Sequence, residues 1–155
     1  MMERREVLKR SSALASLMLT AGVWPGVSLA QATAYASAAF EAKSMADLAK
    51  VLGMQAPVAS KDINLQAPDI AENGAVVPVG ASTTLPGVKR IIILIEKNPS
   101  ILTAMFDFTD SVETSISTRA KMGQSSNVFA VALMNDGRAL YAVKEVKVTL
   151  GGCGG

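Results

Sequence analysis

Five consecutive aliphatic residues, Ile91-Ile92-Ile93-Leu94-Ile95, make a stretch that is apolar at every position. A strand that is apolar on both faces has to be covered on both, so this run predicts a central, buried strand. Two neighbouring stretches alternate cleanly. Ile116, Thr118, Ala120 and Met122 fall on one side of a strand and Ser115, Ser117, Arg119 and Lys121 on the other. Near the C-terminus Val146, Val148 and Leu150 oppose Glu145, Lys147 and Thr149. Each of these strands has one face for a core and one for water or a partner. The full set of predicted strands is 62–67, 75–79, 88–96, 102–108, 115–122, 127–134 and 139–150. Asn135-Asp136-Gly137 joins the last two, because these residues tolerate the positive φ of a tight hairpin.

Ahead of the strands the period changes. Phe40, Met45, Leu48 and Leu52 recur at helical spacing, with Glu41, Lys43, Asp47 and Lys50 between them. This predicts one amphipathic helix over about 36–52, stopped by Gly53. Its polar face carries both signs, which suits packing on the domain rather than lying on a membrane surface. About seven strands with turns at this spacing predict a mainly β fold. The expected form is an immunoglobulin-like antiparallel β-sandwich with one preceding helix. Neither an internal repeat nor a low-complexity linker divides it.

The first thirty residues belong to a different pattern. Arg4, Arg5, Lys9 and Arg10 form a basic head, a modest apolar stretch runs from Ser12 to about Val23, and Ser28-Leu29-Ala30 places small residues where a signal peptidase reads. The apolar stretch is shorter than the roughly 20 residues a spanning helix needs. The expected organisation is a signal over 1–30, a domain over 31–150 and a terminal arm over 151–155. Arg4-Arg5, followed by Val7, Leu8 and Lys9, resembles the twin-arginine export signal, with Glu3 and Val7 departing from its usual pattern. That route carries folded cargo, as is needed when a cofactor or partner is acquired before export.

Removing the signal alters the charge. Taking its four basic and two acidic residues from the 15 and 13 of the whole chain leaves 11 of each, a formal net charge of zero. A neutral domain lacks the electropositive footprint of a nucleic-acid binder. It also has little colloidal repulsion, which fits a life spent bound to a partner. The remaining length of about 125 residues suits one domain with a single core. The chain has no histidine and one cysteine. His-based triads, His-ligated zinc or haem, thiolate cages and internal disulfides are thereby excluded.

The single cysteine lies in Leu150-Gly151-Gly152-Cys153-Gly154-Gly155. Glycine visits backbone angles forbidden to other residues, so Gly151 and Gly152 are expected to act as a swivel, and Gly154 and Gly155 keep the tip thin. At 3.3–3.6 Å per residue, Cys153 reaches about 10 Å beyond Leu150. Such a thiol suits delivery better than catalysis, because a catalytic group needs a rigid support and an activating neighbour. The nearby terminal carboxylate opposes thiolate formation. In an exported protein an odd cysteine means either a reactive thiol or an intermolecular disulfide. The residues alone leave both open, the second as a binding or structural module that dimerises through Cys153.

The terminal GGCGG preceded by VKVTL resembles the SoxY family, the sulfur-carrier subunit of the periplasmic thiosulfate-oxidising system. So do INLQAPDIAENGAVVPV at 63–79, RIIILIEKNP at 90–99, STRAKMGQSSNVFAVA at 117–132 and KEVKVTLGGCGG at 144–155. Ala120 departs from the pattern, where a larger aliphatic is frequent. The resemblance implies a non-catalytic carrier without a cofactor, loaded covalently at Cys153, with Gly151, Gly152, Gly154 and Gly155 as its flexible arm. It implies a SoxZ-like subunit that is exported with the chain by the twin-arginine translocase. It also implies a c-type cytochrome that joins thiosulfate to the thiol, a dimanganese hydrolase that releases sulfate and, where present, a sulfane dehydrogenase. A ubiquitin-like sulfur carrier also ends in Gly-Gly, but its chemistry uses the terminal carboxylate and ATP and gives Cys153 no role.

Other residues have simpler readings. Arg119 and Lys121 could attract an anion, yet on an alternating strand they read as solvated or interface residues. Asp107 and Asp110 lack further ligands for a metal. Met105, Met122 and Met134 read as core filling, and Asn73-Gly74 as a turn.

Overall fold

The computed structural model describes residues 32–149, with side chains described from 37 onward. The predicted signal, with Arg4 and Arg5, and the residues from Leu150 to Gly155 lie outside the described part.

The predicted helix over 36–52 is two helices, α1 (Ala32–Glu41) and α2 (Met45–Leu52). The break has a local cause. Ser44 is extended at φ −142°, ψ 159°, and its Oγ accepts from the Asp47 N–H at 3.0 Å while donating to Asp47 Oδ2 at 2.7 Å. Ser44-Met45-Ala46-Asp47 is thus a helix start, with the acidic residue placed where the helix dipole favours it. The break also re-aims the first helix: Ala39 and Ala42 are buried, while Phe40 is half exposed. Gly53 ends α2 as predicted, at φ 63°, its N–H returning to the carbonyls of the last turn.

All seven predicted strands are present. They are β2 (Asn64–Gln66), β4 (Val77–Ser82), β5 (Val88–Ile95), β6 (Leu102–Asp107), β7 (Ser115–Ala120), β8 (Ser126–Met134) and β9 (Ala139–Val148). Two more, β1 (Val58–Ala59) and β3 (Ile70–Ala71), have only two residues each. The larger sheet runs β1-β9-β8-β5-β6, with β3 also on β9, and the smaller runs β2-β4-β7. The long pairings are antiparallel, but β1 and β3 both lie parallel to β9, a departure from the purely antiparallel expectation. Together they cover the two ends of an edge that would otherwise stand open along its whole length.

The two sheets face each other as an immunoglobulin-like sandwich, and the aliphatic run explains why the protein has two cores. Ile91, Ile93 and Ile95 point between the sheets, where they meet Val77, Val79, Met122, Val128 and Val146. Ile92 and Leu94 point to the opposite face, under α1 and α2, beside Leu48, Leu52, Val131 and Leu133. All five are at most 1% exposed. Burying an aliphatic side chain of this size contributes about 1.5–3 kcal/mol, so β5 ties both layers to one strand. β5 sits between β8 and β6 in the sheet, as the run predicts.

The β8–β9 hairpin turns on Asn135-Asp136-Gly137, with Gly137 at φ 87°. The Arg138 N–H donates to Asp136 Oδ1 at 3.0 Å, and Arg138 Nε donates to Asp136 Oδ2 at 2.7 Å. These bonds hold the Asp136 carboxyl below its ordinary range, the backbone donor contributing most. The turn fixes the register Leu133↔Ala139 through Ser126↔Val146, and so the position of the last strand's end.

Candidate functional site at the end of the last strand

β9 is the last described strand, and the hydrogen bonds around residues 146–149 show how firmly its end is held. Val146 is fully buried in the sandwich core. On one side, the Val148 N–H donates to Ser125 Oγ at 2.8 Å, from the residue just before β8. On the other, the Lys147 N–H donates to the Asp69 carbonyl at 3.0 Å and the Thr149 N–H to the Ala71 carbonyl at 3.1 Å. Thr149 Oγ1 donates to the Glu72 carbonyl at 3.0 Å. Lys144 Nζ donates to the Ala67 carbonyl at 2.5 Å and lies 3.1 Å from Asp69 Oδ1, which holds the same flanking segment against β9. The last described residue is therefore bonded to the end of β3 and to the residue after it, while the residue before it is bonded to the residue that precedes β8.

The turn after β3 completes the surround. Asn73 Oδ1 accepts from the Ala75 N–H at 2.8 Å, and the Gly74 carbonyl accepts from the Met122 N–H at 2.7 Å. Asn73-Gly74 is thus the turn it was read to be, and it links β3 to the smaller sheet. None of Ser125, Asp69, Ala71 and Glu72 carries a sequence signal for this role. Three of them act through backbone carbonyls, and each anchor lies 23 to 78 positions from its partner.

Arg119 projects outward on β7, in register with Pro78, and Lys121 is exposed just beyond it. The Lys121 carbonyl takes a 2.7 Å hydrogen bond from Asn98 Nδ2. Asp107 is engaged by Arg90 in a two-pronged pair, at 2.5 and 2.9 Å. Asp110 lies apart, on the rim of an open cleft of about 440 Å³ between the β4–β5 and β6–β7 loops. Among the described residues no three His, Cys, Asp or Glu side chains converge as metal ligands. Met122 and Met134 are core residues, and Met105 packs against the layer beneath the helices. No described helix is long and apolar enough to cross a membrane.

The described domain is a small two-sheet sandwich whose last strand is hydrogen-bonded on both sides near its end. The chain belongs to the SoxY family: the model for sulfur oxidation protein SoxY matches residues 48–153, ending on Cys153. The chain is similar to the sulfur carrier protein SoxY from Chlorobium limicola f thiosulfatophilum, with 37% identity and a TM-score of 0.60. That match covers 66% of this chain and 93% of the other. A superoxide reductase (neelaredoxin) from Ignicoccus hospitalis shares 20% identity over 56% of this chain and 78% of its own, with a TM-score of 0.50. This second likeness is one of fold alone. Among curated proteins none matches the chain.

Proposed function

We propose that the chain is a periplasmic sulfur carrier that binds thiosulfate-derived sulfur covalently at Cys153 and hands it to enzymes that act on the bound group. The observation that carries the reading is the placement of the one thiol of the chain. It lies two glycines and a leucine beyond Thr149, whose backbone and hydroxyl are held by the body of the domain. Membership of the SoxY family supports it. In loading, the Cys153 thiol and thiosulfate form an S–S bond, releasing one proton and two electrons, which a c-type cytochrome accepts. Hydrolysis of the terminal S–S bond by a dimanganese hydrolase, with one water, then releases sulfate and leaves a persulfide on Cys153. A sulfane dehydrogenase, where one is present, oxidises that outer sulfur to a sulfonate, taking oxygen from three waters and passing six electrons to a cytochrome-class acceptor, so that a second hydrolysis releases sulfate and restores the thiol.

The protein's own share of this chemistry is mechanical. Its sandwich supplies a fixed origin for the arm, and Gly151, Gly152, Gly154 and Gly155 leave the backbone thin enough to enter a narrow channel. Thiolate formation falls to the receiving enzyme, since no residue from Thr149 to Gly155 carries a charged side chain. Arg4 and Arg5 would direct a signal over residues 1–30 to the twin-arginine translocase, with a SoxZ-like subunit carried across on the folded chain. The test is the intact mass of the non-reduced chain after exposure to thiosulfate and its oxidising enzyme. Reductant-sensitive mass added in steps of thiosulfate or sulfur, localised to Cys153, is the expected result. A mass that only doubles through a disulfide would make Cys153 a cross-link.

A further inference from the structure

We infer that Thr149 is a positioning residue for the loading of Cys153, its hydroxyl aiming the start of the arm; this deepens the carrier reading and rests on it. Thr149 makes two hydrogen bonds to successive carbonyls of one segment. Its N–H donates to Ala71 at 3.1 Å and its Oγ1 to Glu72 at 3.0 Å. A single bond at the end of a strand is a hinge about which the last peptide can swing. A second bond from the same residue removes that rotation, and so sets the direction in which the chain leaves toward Leu150. The β-branched side chain helps, because its χ1 has few settings and its backbone favours the extended form. Thr149 is exposed. Water competes for its hydroxyl there, so the bond adds little to folding, and orientation is what it controls.

The carbonyls that hold Thr149 are themselves held. Ala71 is buried and pairs with Val148. Ahead of β3, Lys144 Nζ is bonded to the Ala67 carbonyl and paired with the Asp69 carboxylate. After it, Asn73 Oδ1 accepts from the Ala75 N–H, and the Gly74 carbonyl accepts from the Met122 N–H of the smaller sheet's side. A positioning residue needs this support, because a clamp is only as fixed as the groups it closes on. Beyond Thr149 only Leu150 precedes the first glycine. The four residues from Thr149 to Cys153 span at most about 14 Å. On so short a tether the direction of the first peptide decides which part of the surrounding space the thiol visits, whereas a longer flexible chain forgets it. The fraction of carriers whose thiol faces an incoming channel therefore depends on the Thr149 hydroxyl, and apparent affinity scales with the competent fraction.

The experiment uses the full exported chain with its SoxZ-like subunit, thiosulfate and the purified thiosulfate-conjugating cytochrome, following adduct formation on Cys153 by intact mass. Thr149→Val keeps the β-branched shape and the N–H but loses the hydroxyl. It is expected to raise the KM for carrier about fourfold and leave kcat within about 1.5-fold, as for a smaller competent fraction. Thr149→Ser keeps the hydroxyl and should stay within about 1.5-fold of the unsubstituted KM. A small aromatic disulfide reagent, which needs no particular direction of approach, should react with Cys153 equally fast in every variant. Inserting four glycines after Leu150 should erase the effect of Thr149→Val. An unchanged KM in Thr149→Val, failure of Thr149→Ser to restore it, a parallel change with the small reagent, or the same penalty in the lengthened arm overturns the assignment. So does a melting temperature lowered by more than about 3 °C in Thr149→Val, which would make the hydroxyl a structural group. Absence of any adduct on the unsubstituted chain defeats the carrier reading itself.

Discussion

β5 and β9 belong to the same sheet and are separated only by β8, yet they are built for opposite ends. β5 is apolar on both faces and loses every side chain from Ile91 to Ile95 to one of two cores. β9 keeps that double coverage only at its start, where Ala139 and Tyr141 lie on the helix side and Leu140 and Ala142 on the sandwich side. Toward its end Val146 is buried while Glu145, Lys147 and Thr149 are exposed. The difference separates two kinds of rigidity. β5 is held by area removed from water, and the end of β9 by directed hydrogen bonds that it donates to Ser125, Asp69, Ala71 and Glu72. Hydrophobic burial is non-directional, whereas a few well-placed hydrogen bonds fix the direction in which a chain leaves a domain.

The comparison can be broken by exchanging damage between the two strands. Cys153→Ser should abolish sulfur loading and leave the melting temperature unchanged within about 2 °C, an effect read by intact mass and calorimetry together. Ile93→Ala should do the reverse. It removes a fully buried side chain between the sheets and should cost about 3–4 kcal/mol by denaturant unfolding, while loading of the protein that remains folded stays normal. Any loading at a serine, or a loading defect in folded Ile93→Ala protein, would contradict the division.

Smaller changes sharpen it. Gly152→Val adds a β-branched side chain to the tip and should slow turnover about tenfold or more with no change in stability. Unchanged sulfate release by that variant would sink the narrow-channel idea. Ser125→Ala deprives the Val148 N–H of its acceptor and should cost about 1 kcal/mol, with a modest rise in the KM for loading as the strand end loosens. Stability equal to the unsubstituted chain would mean that the end of β9 is held by β3 alone.

The smallest effect belongs to the hairpin. Asp136 has its folded carboxyl pKa held down by Arg138, so its contribution is present above the unfolded carboxylate range and is lost as pH falls through the folded value. Asp136→Asn should therefore lower the melting temperature slightly at pH 7, and the difference should fade below about pH 4. Because Asp136 is exposed, the shift should also shrink in high salt. A difference that grows in acid would reverse the sign and remove Arg138 as its cause.

Much of the protein was legible as a string of residues. Ile91–Ile95 announced a strand covered twice, because no other arrangement hides five adjacent aliphatics in extended chain. The alternation at 115–120 named the inward face of β7, and Asn135-Asp136-Gly137 named the hairpin, because period and turn chemistry are local properties. The family was legible too, in GGCGG and the segments before it. Ser44-Met45-Ala46-Asp47 was legible but misread: its capping signal sits inside an unbroken helical period, and the serine's competition for the backbone wins over the spacing.

What tertiary structure alone decided lies at the edge of β9. A two-residue strand such as β1 or β3 has no periodicity to display, and its parallel pairing depends on residues some 80 positions away. Ser125 looks like any loop serine until Val148 is brought 2.8 Å from its hydroxyl. The exposure of Ile70 and Val76 is likewise a result of packing, since an isolated aliphatic in sequence reads as core. Sequence determined which side chains must leave water and where along the chain the single thiol stands. Long-range pairing determined how the end of β9 is held, because hydrogen-bond partners far apart in the chain meet only once the sandwich has closed.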